Sequence, residues 1–368
     1  MHTELHTDNR RRLTKHDPES YSYTPSSRSA LGLMAADSMA ATLEPEHTEL
    51  TQTELGKRTL LVTDAASDLP ADWRAQAGIL LLPIKLRIGE TSRIDDGNEV
   101  AAARFAAKLL GQSDGPTLTL AASADTTREL ISQHTNGDTD FVLQIAMSSL
   151  RSNGYANSLT AAQKLMVQSS RDRRRAGNTR PFKMWVVDSG TSFNGHGVLI
   201  AECARLLRAN VPLPQTVQQV DALRRNVQTL VVPRDLKRFH RCASLPEAPV
   251  SHWISRGVGQ LFDRIPVAIA NGDELYVMST QNGFTAAANV AFGRAIRCVE
   301  GGLAAPFVCA SYAGDIADLR QFDAFVKLSA TCARHGVTLF TSAMSMTNAA
   351  VLGGGSVLVS FASSTDLQ

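Results

Sequence analysis

From residue 59 onward, short apolar runs alternate with segments whose apolar residues recur at the helical period. Thr59-Leu60-Leu61-Val62-Thr63 reads as a buried strand, and Asp64-Ala65-Ala66-Ser67-Asp68-Leu69-Pro70 follows it. Ser67 or Asp68 can cap a helix there, and Pro70 suits the first turn, where no backbone donor is lost. Gly78 ends that helix, and 79–88 is the next apolar strand. Asp95-Asp96-Gly97-Asn98 predicts a turn or cap before an alanine-rich helix that stops near Gly111. A short strand at 118–121 precedes another helix. Next come a buried strand at 141–147, a polar loop at 148–154, a helix at 155–169, a basic connection at 170–181 and a buried strand at 183–187.

The second half repeats this theme more loosely. Helices are expected at 198–209, 214–227, 285–299 and 316–335, and strands at 230–232, 306–310, 337–341 and 356–361. A hairpin at 266–278 turns at Asn271-Gly272-Asp273. Strands alternating with helices give a mostly parallel sheet covered on both faces. Residues 1–57 show no sustained hydrophobic period. They read as a disordered tail, with room for one short helix at 30–43. The expected organisation is therefore a tail at 1–57, an N-terminal α/β lobe at 58–190 and a C-terminal α/β lobe at 191–368.

Composition narrows the function classes. Of 368 residues, 43% are hydrophobic and 20% charged, close to globular averages, so most of the chain should fold. A net charge of +2 is too small for nucleic-acid binding over the whole surface. The five cysteines, Cys203, Cys242, Cys298, Cys309 and Cys332, form no CxxC pair and read as free thiols in a reducing compartment. The start, 1–12, has no apolar stretch of secretory type, and no apolar run approaches a membrane span. A cytoplasmic protein without stable membrane insertion is expected.

In open α/β sheets, ligands bind beyond the carboxyl ends of the strands. Three such ends bear hydroxyls: Thr63-Asp64, Thr119 with Ser123, and Ser148-Ser149 running through Ser152-Asn153-Gly154. The last, a strand, a small polar loop and then a helix start, offers backbone N–H groups and hydroxyls to a carboxylate or phosphate. The same residues also read simply as caps and turns. GxGxxG after the first strand, GxxxxGK[ST], HExxH and GxSxG are all missing, which removes the main support for nucleotide binding and for those hydrolase chemistries. His134, His196, His240, His252 and His335 lack metal-ligand spacing and read as surface or cap residues, so neither a metal nor a cofactor is expected. Asp188-Ser189-Gly190 reads as a strand-end turn rather than a nucleophile. Arg171, Arg173, Arg174, Arg175 and Arg180 read as a solvated loop.

On these residues the chain resembles the DegV family of fatty-acid-binding proteins, in order from about residue 59 to 362. Residues 63–70 resemble its TDSxSDLP. Leu82-Pro83-Ile84 with Ile88-Gly89 and Asp95 resembles its second strand and turn, and 119–123 its TSQPS. Residues 148–158 resemble SSxLSGTYxSA. Val187-Asp188-Ser189 with Gly195 and Gly197 resembles its DS…G.G segment, Asp235-Leu236 falls at its dLe.L..GGRI, and Gly353-Gly354-Gly355 at its HxGPG. The resemblance implies two α/β lobes holding one fatty acid between them, with the tail in an apolar tunnel and no catalysis by the chain itself. The carboxylate would meet Thr119, Ser123, Ser152, Asn153 and Gly154, and the expected ligand-binding set also includes Thr63, Asp64, Gly353, Gly354 and Gly355. A fatty acid kinase catalytic subunit is the implied partner. The family's histidine, however, falls on Val351, its arginine on Ser244, and a TSQPS serine on Leu120. Two other readings stay open: a DegV-like regulatory or scaffold protein, and a dihydroxyacetone-kinase-like phosphotransfer enzyme, which would need a histidine at a strand end.

Overall fold

Four strands of the opening sheet run parallel in the order β2-β1-β6-β7. They are β1 (Thr59–Asp64), β2 (Ile79–Leu82), β6 (Phe141–Ala146) and β7 (Lys183–Asp188). This computed structural model describes residues 58–110, 117–239, 264–272 and 274–364. The expected tail at 1–57 with its short helix, Gly111, Asp273 and the stretch with His240, Ser244 and His252 lie outside the described residues.

Side chains alternate across this sheet with period two, and each face has its own cover. Leu61, Leu143, Ile145 and Val187 pack with Val198, Leu199 and Ile200 of helix α5 (Gly195–Arg208). Val62, Val142 and Met184 pack on the opposite face with Ile131 of α3 (Ala124–His134) and Leu165 of α4 (Gly154–Arg175). Helix α1 (Ala71–Ala77) follows β1, and α2 (Glu99–Leu109) lies in the chain between two strands of a small antiparallel sheet. That sheet has the order β4-β3-β5, from β3 (Ile84–Ile88), β4 (Thr91–Asp95) and β5 (Thr117–Ala121).

A six-stranded sheet of order β10-β9-β8-β13-β11-β12 fills the second half. Its strands are β8 (Val227–Val232), β9 (Ile265–Asn271), β10 (Glu274–Gln281), β11 (Leu303–Tyr312), β12 (Thr338–Ala343) and β13 (Val357–Ser363). Only β11 and β12 pair in parallel. Helix α6 (Leu213–Leu223) precedes β8. Helices α7 (Phe284–Gly301) and α8 (Asp323–Arg334) cover one face through Phe292, Phe325 and Leu328. The same apolar cluster that holds α5 on β1 and β6 also contains Phe307, Cys309 and Phe340, so α5 is packed between the two sheets.

Several expectations are corrected. The apolar run 79–88 is two strands, not one. Pro83 has no N–H to continue the ladder, and β3 leaves the parallel sheet to pair with β4 and β5. The strand at 118–121 therefore belongs to the antiparallel sheet. Helix α4 runs on to Arg175 through much of the expected basic connection, because Ala161, Ala162, Leu165 and Arg173 keep one buried face, and the chain turns only at Gly177, φ +70°. The helix at 316–335 breaks at Phe322, whose ring is buried against Phe292 and Phe284. A helix over Met346–Leu352, here α9, was not anticipated.

Candidate functional site

In the register of the parallel sheet, Asp64 and Asp188 lie level with Ala146, one on each side of the central strand β6. The loop that follows β6 rises between them, and most of its backbone donors are already engaged. Ser149 N donates to Asp188 Oδ1 at 3.1 Å, Leu150 N to Ser148 Oγ at 3.3 Å, and Ser152 N to Ser148 O at 3.1 Å. Arg151 N donates to Ser148 O at 2.8 Å, and Gly154 N to Ser152 Oγ at 3.0 Å. Five amides of the loop expected to face an anion are thus engaged within the protein. A loop this short satisfies much of its own backbone first, and its hydroxyls keep hydrogen-bonding capacity to spare.

Those hydroxyls converge with the end of β5. A Cβ at Gly154 would stand 3.2 Å from Ser152 Oγ and 3.4 Å from Ala121 Cβ, and Asn157 Nδ2 donates to Ala122 O at 2.9 Å. The start of α4 is thereby fixed beside 119–123. Thr119 is exposed on the strand face it shares with Ala121, and Leu120 is 44% exposed on the other. Ser123 caps α3, with its Oγ accepting from Thr126 N at 3.1 Å, and Asn153 is exposed at the start of α4 without capping it. Ser152, Gly154 and Asn157 thus lie against Ala121 and Ala122, which Thr119 and Ser123 flank in the chain. Burial, with a smaller push from Asp188, raises the pKa of Tyr155 beside the same loop.

The other expected residues lie deeper. Thr63 is fully buried and donates to Ile145 O at 3.3 Å. Asp64 Oδ1 accepts from Ala66 N at 3.0 Å and stands 3.1 Å from His196 Nε2. His196 corrects its reading as a surface residue, being fully buried at the first turn of α5. Gly197 permits this, since a Cβ there would lie 2.6 Å from Ser67 O. Gly353, Gly354 and Gly355 are buried in backbone packing. A Cβ at 353 would meet Asp235 Cβ at 2.6 Å, and one at 354 would meet Ala106 O at 2.1 Å. Val351 is half-buried in the apolar layer.

Between the small sheet, α2 and the six-stranded sheet lies an apolar layer of Leu86, Phe105, Ala106, Leu109, Val231, Leu358, Met346, Ala349, Ala350 and Leu352. It is closely packed. A partly open cleft beside it, lined by Ser67, Asp68, Leu69, Gly97, Ala102 and Ser345, measures about 10 Å³. That volume suits one water molecule, whereas small-molecule pockets run to roughly 300 Å³ and above.

Sequence reading missed the polar residues beside this layer. Asp68, expected as a helix cap, is buried with φ +49° and accepts from three side chains and backbone groups far along the chain. Ser311 Oγ donates to its Oδ2 at 2.6 Å, Asn348 Nδ2 to Oδ2 at 3.1 Å and Ser345 N to Oδ1 at 2.9 Å. Burial raises its pKa to about 6, opposed by those same hydrogen bonds. Asp95 is fully buried and accepts from Thr347 N and Thr347 Oγ1, both at 2.7 Å, and burial raises its pKa too. Arg173 is also not solvated: it donates to buried Asp140 Oδ1 at 2.8 Å. Among the described residues, no cluster of His, Cys, Asp and Glu is placed to hold a metal ion, and no helix is long and apolar enough to cross a membrane.

A family model described as an uncharacterised protein of the DegV family matches residues 58–364. A DegV domain-containing protein of Xanthomonas axonopodis pv. citri (strain 306) is 30% identical over 302 residues, covering 82% of this chain and 96% of that protein. A solved DegV lipid-binding protein of Thermotoga maritima has a TM-score of 0.66 at 14% identity, covering 83% of this chain and 99% of that one. A Thermus thermophilus relative, described by its fatty acid binding, has a TM-score of 0.62 at 19% identity, covering 83% and 99%. At these identities the two structures share the fold with this chain.

Proposed function

The chain belongs to the DegV family, and we propose that it binds a long-chain fatty acid whose carboxylate meets the Ser/Thr mouth and whose tail enters the neighbouring apolar layer. The observation that supports this reading is the approach of Gly154 and Ser152 to Ala121, at the end of the strand that carries Thr119 and two residues before Ser123. The solved relatives described as lipid- and fatty-acid-binding lend it support.

The energetics divide between the two ends of the ligand. About fourteen buried methylenes contribute on the order of 11 kcal/mol gross, at ~0.8 kcal/mol each. Immobilisation and association remove a substantial part of that. A carboxylate buried without donors would cost several kcal/mol more, and the hydroxyls offset this while fixing the head-group end. Transfer of the acid to a partner kinase is a separate step outside this reading, since apolar Val351 stands where the family histidine would. Phosphotransfer of the dihydroxyacetone-kinase type would need an open histidine at a strand end, and His196 is sealed from solvent. The test is lipid extraction and mass spectrometry of the purified full-length protein. A stoichiometric acyl chain is expected. Protein that is reproducibly lipid-free and fails to bind a labelled long-chain acid overturns the proposal.

A further inference from the structure

Five Asn-Gly pairs occur in the chain, at 136–137, 153–154, 194–195, 271–272 and 282–283. Each carries the groups needed to lose the asparagine side-chain amide without an enzyme. The backbone nitrogen of the glycine gives up its proton and attacks Cγ of the asparagine. The new N–Cγ bond closes a succinimide ring, the Cγ–Nδ2 bond breaks, and ammonia leaves with the proton that the nitrogen gave up. Water then adds to either ring carbonyl and opens the ring to aspartate or isoaspartate. Glycine favours closure because it has no Cβ to crowd the attacking nitrogen. Sequence alone makes these pairs near-equals.

The fold separates them. Closure needs a side chain free to swing, a glycine N–H held by no acceptor, and a backbone free to rotate. Asn194 offers none of these. It is fully buried before α5, its Nδ2 donates to Cys309 O at 3.5 Å and Ser311 Oγ at 3.4 Å, and Ser360 Oγ donates to its Oδ1. Gly195 N in turn donates to Ser192 O at 3.2 Å. At the polar mouth, Gly154 N donates to Ser152 Oγ at 3.0 Å, and Asn157 N donates to Asn153 O at 2.9 Å. Asn271 is paired on both sides, with Glu274 of β10 and Gln228 of β8. Asn136 Oδ1 accepts from Asp138 N at 2.9 Å, Thr139 N at 3.1 Å and Thr139 Oγ1 at 3.2 Å. The backbone there is tied as well, with Thr139 N donating to Asn136 O at 3.2 Å and Asn178 Nδ2 to Gly137 O at 3.3 Å.

Asn282 differs on every count. It lies between Gln281, the last paired residue of β10, and the start of α7, and both it and Gly283 are exposed. Among the described residues, neither its side chain nor Gly283 N has a hydrogen-bond partner. A Cβ at Gly283, φ +94°, would meet nothing within 4 Å, so a ring has room to form there. We propose that Asn282–Gly283 is a self-modification site, where the folded protein converts Asn282 to aspartate and isoaspartate while the other pairs persist. The surroundings accept the product. Gly283 caps α7 without a side-chain hydrogen bond and no acidic residue lies in the first turn, so a carboxylate just ahead of it meets an uncompensated helix dipole. Arg234 adds a full positive charge, its guanidinium carbon 4.8 Å from the centre of the Phe284 ring. The extra backbone methylene of isoaspartate falls in the bend between β10 and α7. None of this depends on the fatty-acid reading.

Peptide mapping with fragment-ion assignment, on full-length protein held in mildly alkaline buffer, follows every pair at once. In the folded protein, Asn282 should convert at least about tenfold faster than Asn194 and Asn153, and about threefold or more faster than Asn136 and Asn271. In urea, where the fold is lost, the rates should come within about threefold of one another. Asn282→Ser, a change at an exposed bend, should remove most of the acid-shifted protein that accumulates on isoelectric focusing, with circular dichroism unaltered. Native conversion of any other pair as fast as that of Asn282, a ranking that survives in urea, or an unchanged acid-shifted fraction in the variant overturns the proposal.

Discussion

Replacing Gly354 by alanine separates a packing role from a ligand role for the glycine run. A Cβ at this position would lie 2.1 Å from Ala106 O and 3.1 Å from both Ala106 C and Leu110 Cγ. Ordinary contact begins near 3.4 Å, so the 353–355 backbone and α2 would have to separate by about 3.4 − 2.1 = 1.3 Å. Helix α2 has little room to yield, since Ala102, Phe105, Ala106 and Leu109 are all buried in the same layer. Overpacking against backbone should therefore cost about 3 kcal/mol, the upper part of the usual range. Gly293→Ala in α7 is the internal control. Its new methyl would meet only Arg297 Nη1 at 3.9 Å, so the gain is the helix-propensity difference of about 0.5–1 kcal/mol. The two variants should differ by about 4 kcal/mol, which at an m-value of roughly 3 kcal/mol/M separates their urea midpoints by more than about 1 M. Equilibrium urea unfolding followed by circular dichroism reads this directly. A Gly354→Ala midpoint within 0.2 M of wild type, read as an order-of-magnitude threshold, would refute the close approach and with it the packing account of the glycine run.

Three further outcomes are expected. Thr119→Ala removes one exposed hydroxyl from the mouth and should weaken fatty-acid binding about three- to tenfold without lowering the melting temperature; unchanged affinity in a titration with labelled acid would remove Thr119 from the site. Asp140→Asn strips the carboxylate shared by Arg58, buried Arg173 and Arg180, and should destabilise by about 3 kcal/mol. A melting temperature within 1 °C of wild type, about the resolution of such a comparison, would show that the arginines find other partners. Cys203, Cys298, Cys309 and Cys332 are buried, and burial pushes every one of these thiols up, Cys332 to about 11. The native protein should leave these four unlabelled by a thiolate-specific reagent at pH 7 until urea is added; rapid native labelling of any of them, located by mass spectrometry, contradicts the packing described.

The elements legible in the sequence were those set by local pattern. β1, β6 and β7 are short apolar runs whose neighbours supply the helices covering both faces, and they read correctly as a parallel sheet. Pro83 was visible and underused, because a proline inside an apolar run signals that the ladder cannot continue. Gly177 likewise marked the end of α4 beyond the basic run. Helix α9 was hidden for a different reason. Met346-Thr347-Asn348-Ala349-Ala350-Val351-Leu352 is too short to show a helical period, and its first turn is held by carboxylates supplied from positions 68 and 95. No window of sequence contains both partners. Asp68 shows the same limit in reverse, for a residue that looks like a helix cap in its own segment is claimed by Ser311 and Asn348 instead.

The loop after β6 shows how local satisfaction shapes what a site can select. Had the amides of Ser149, Ser152 and Gly154 been open, they would have formed a fixed set of donors that favours anions. They point instead at Asp188 Oδ1, Ser148 O and Ser152 Oγ. The groups at the mouth include hydroxyls, which rotate and can either donate or accept. Rotating groups discriminate weakly between a carboxylate and another small polar head group, whereas each methylene of the tail still changes binding by ~0.8 kcal/mol, close to fourfold. On the proposed fatty-acid reading, selectivity would therefore rest more with the apolar layer than with the mouth.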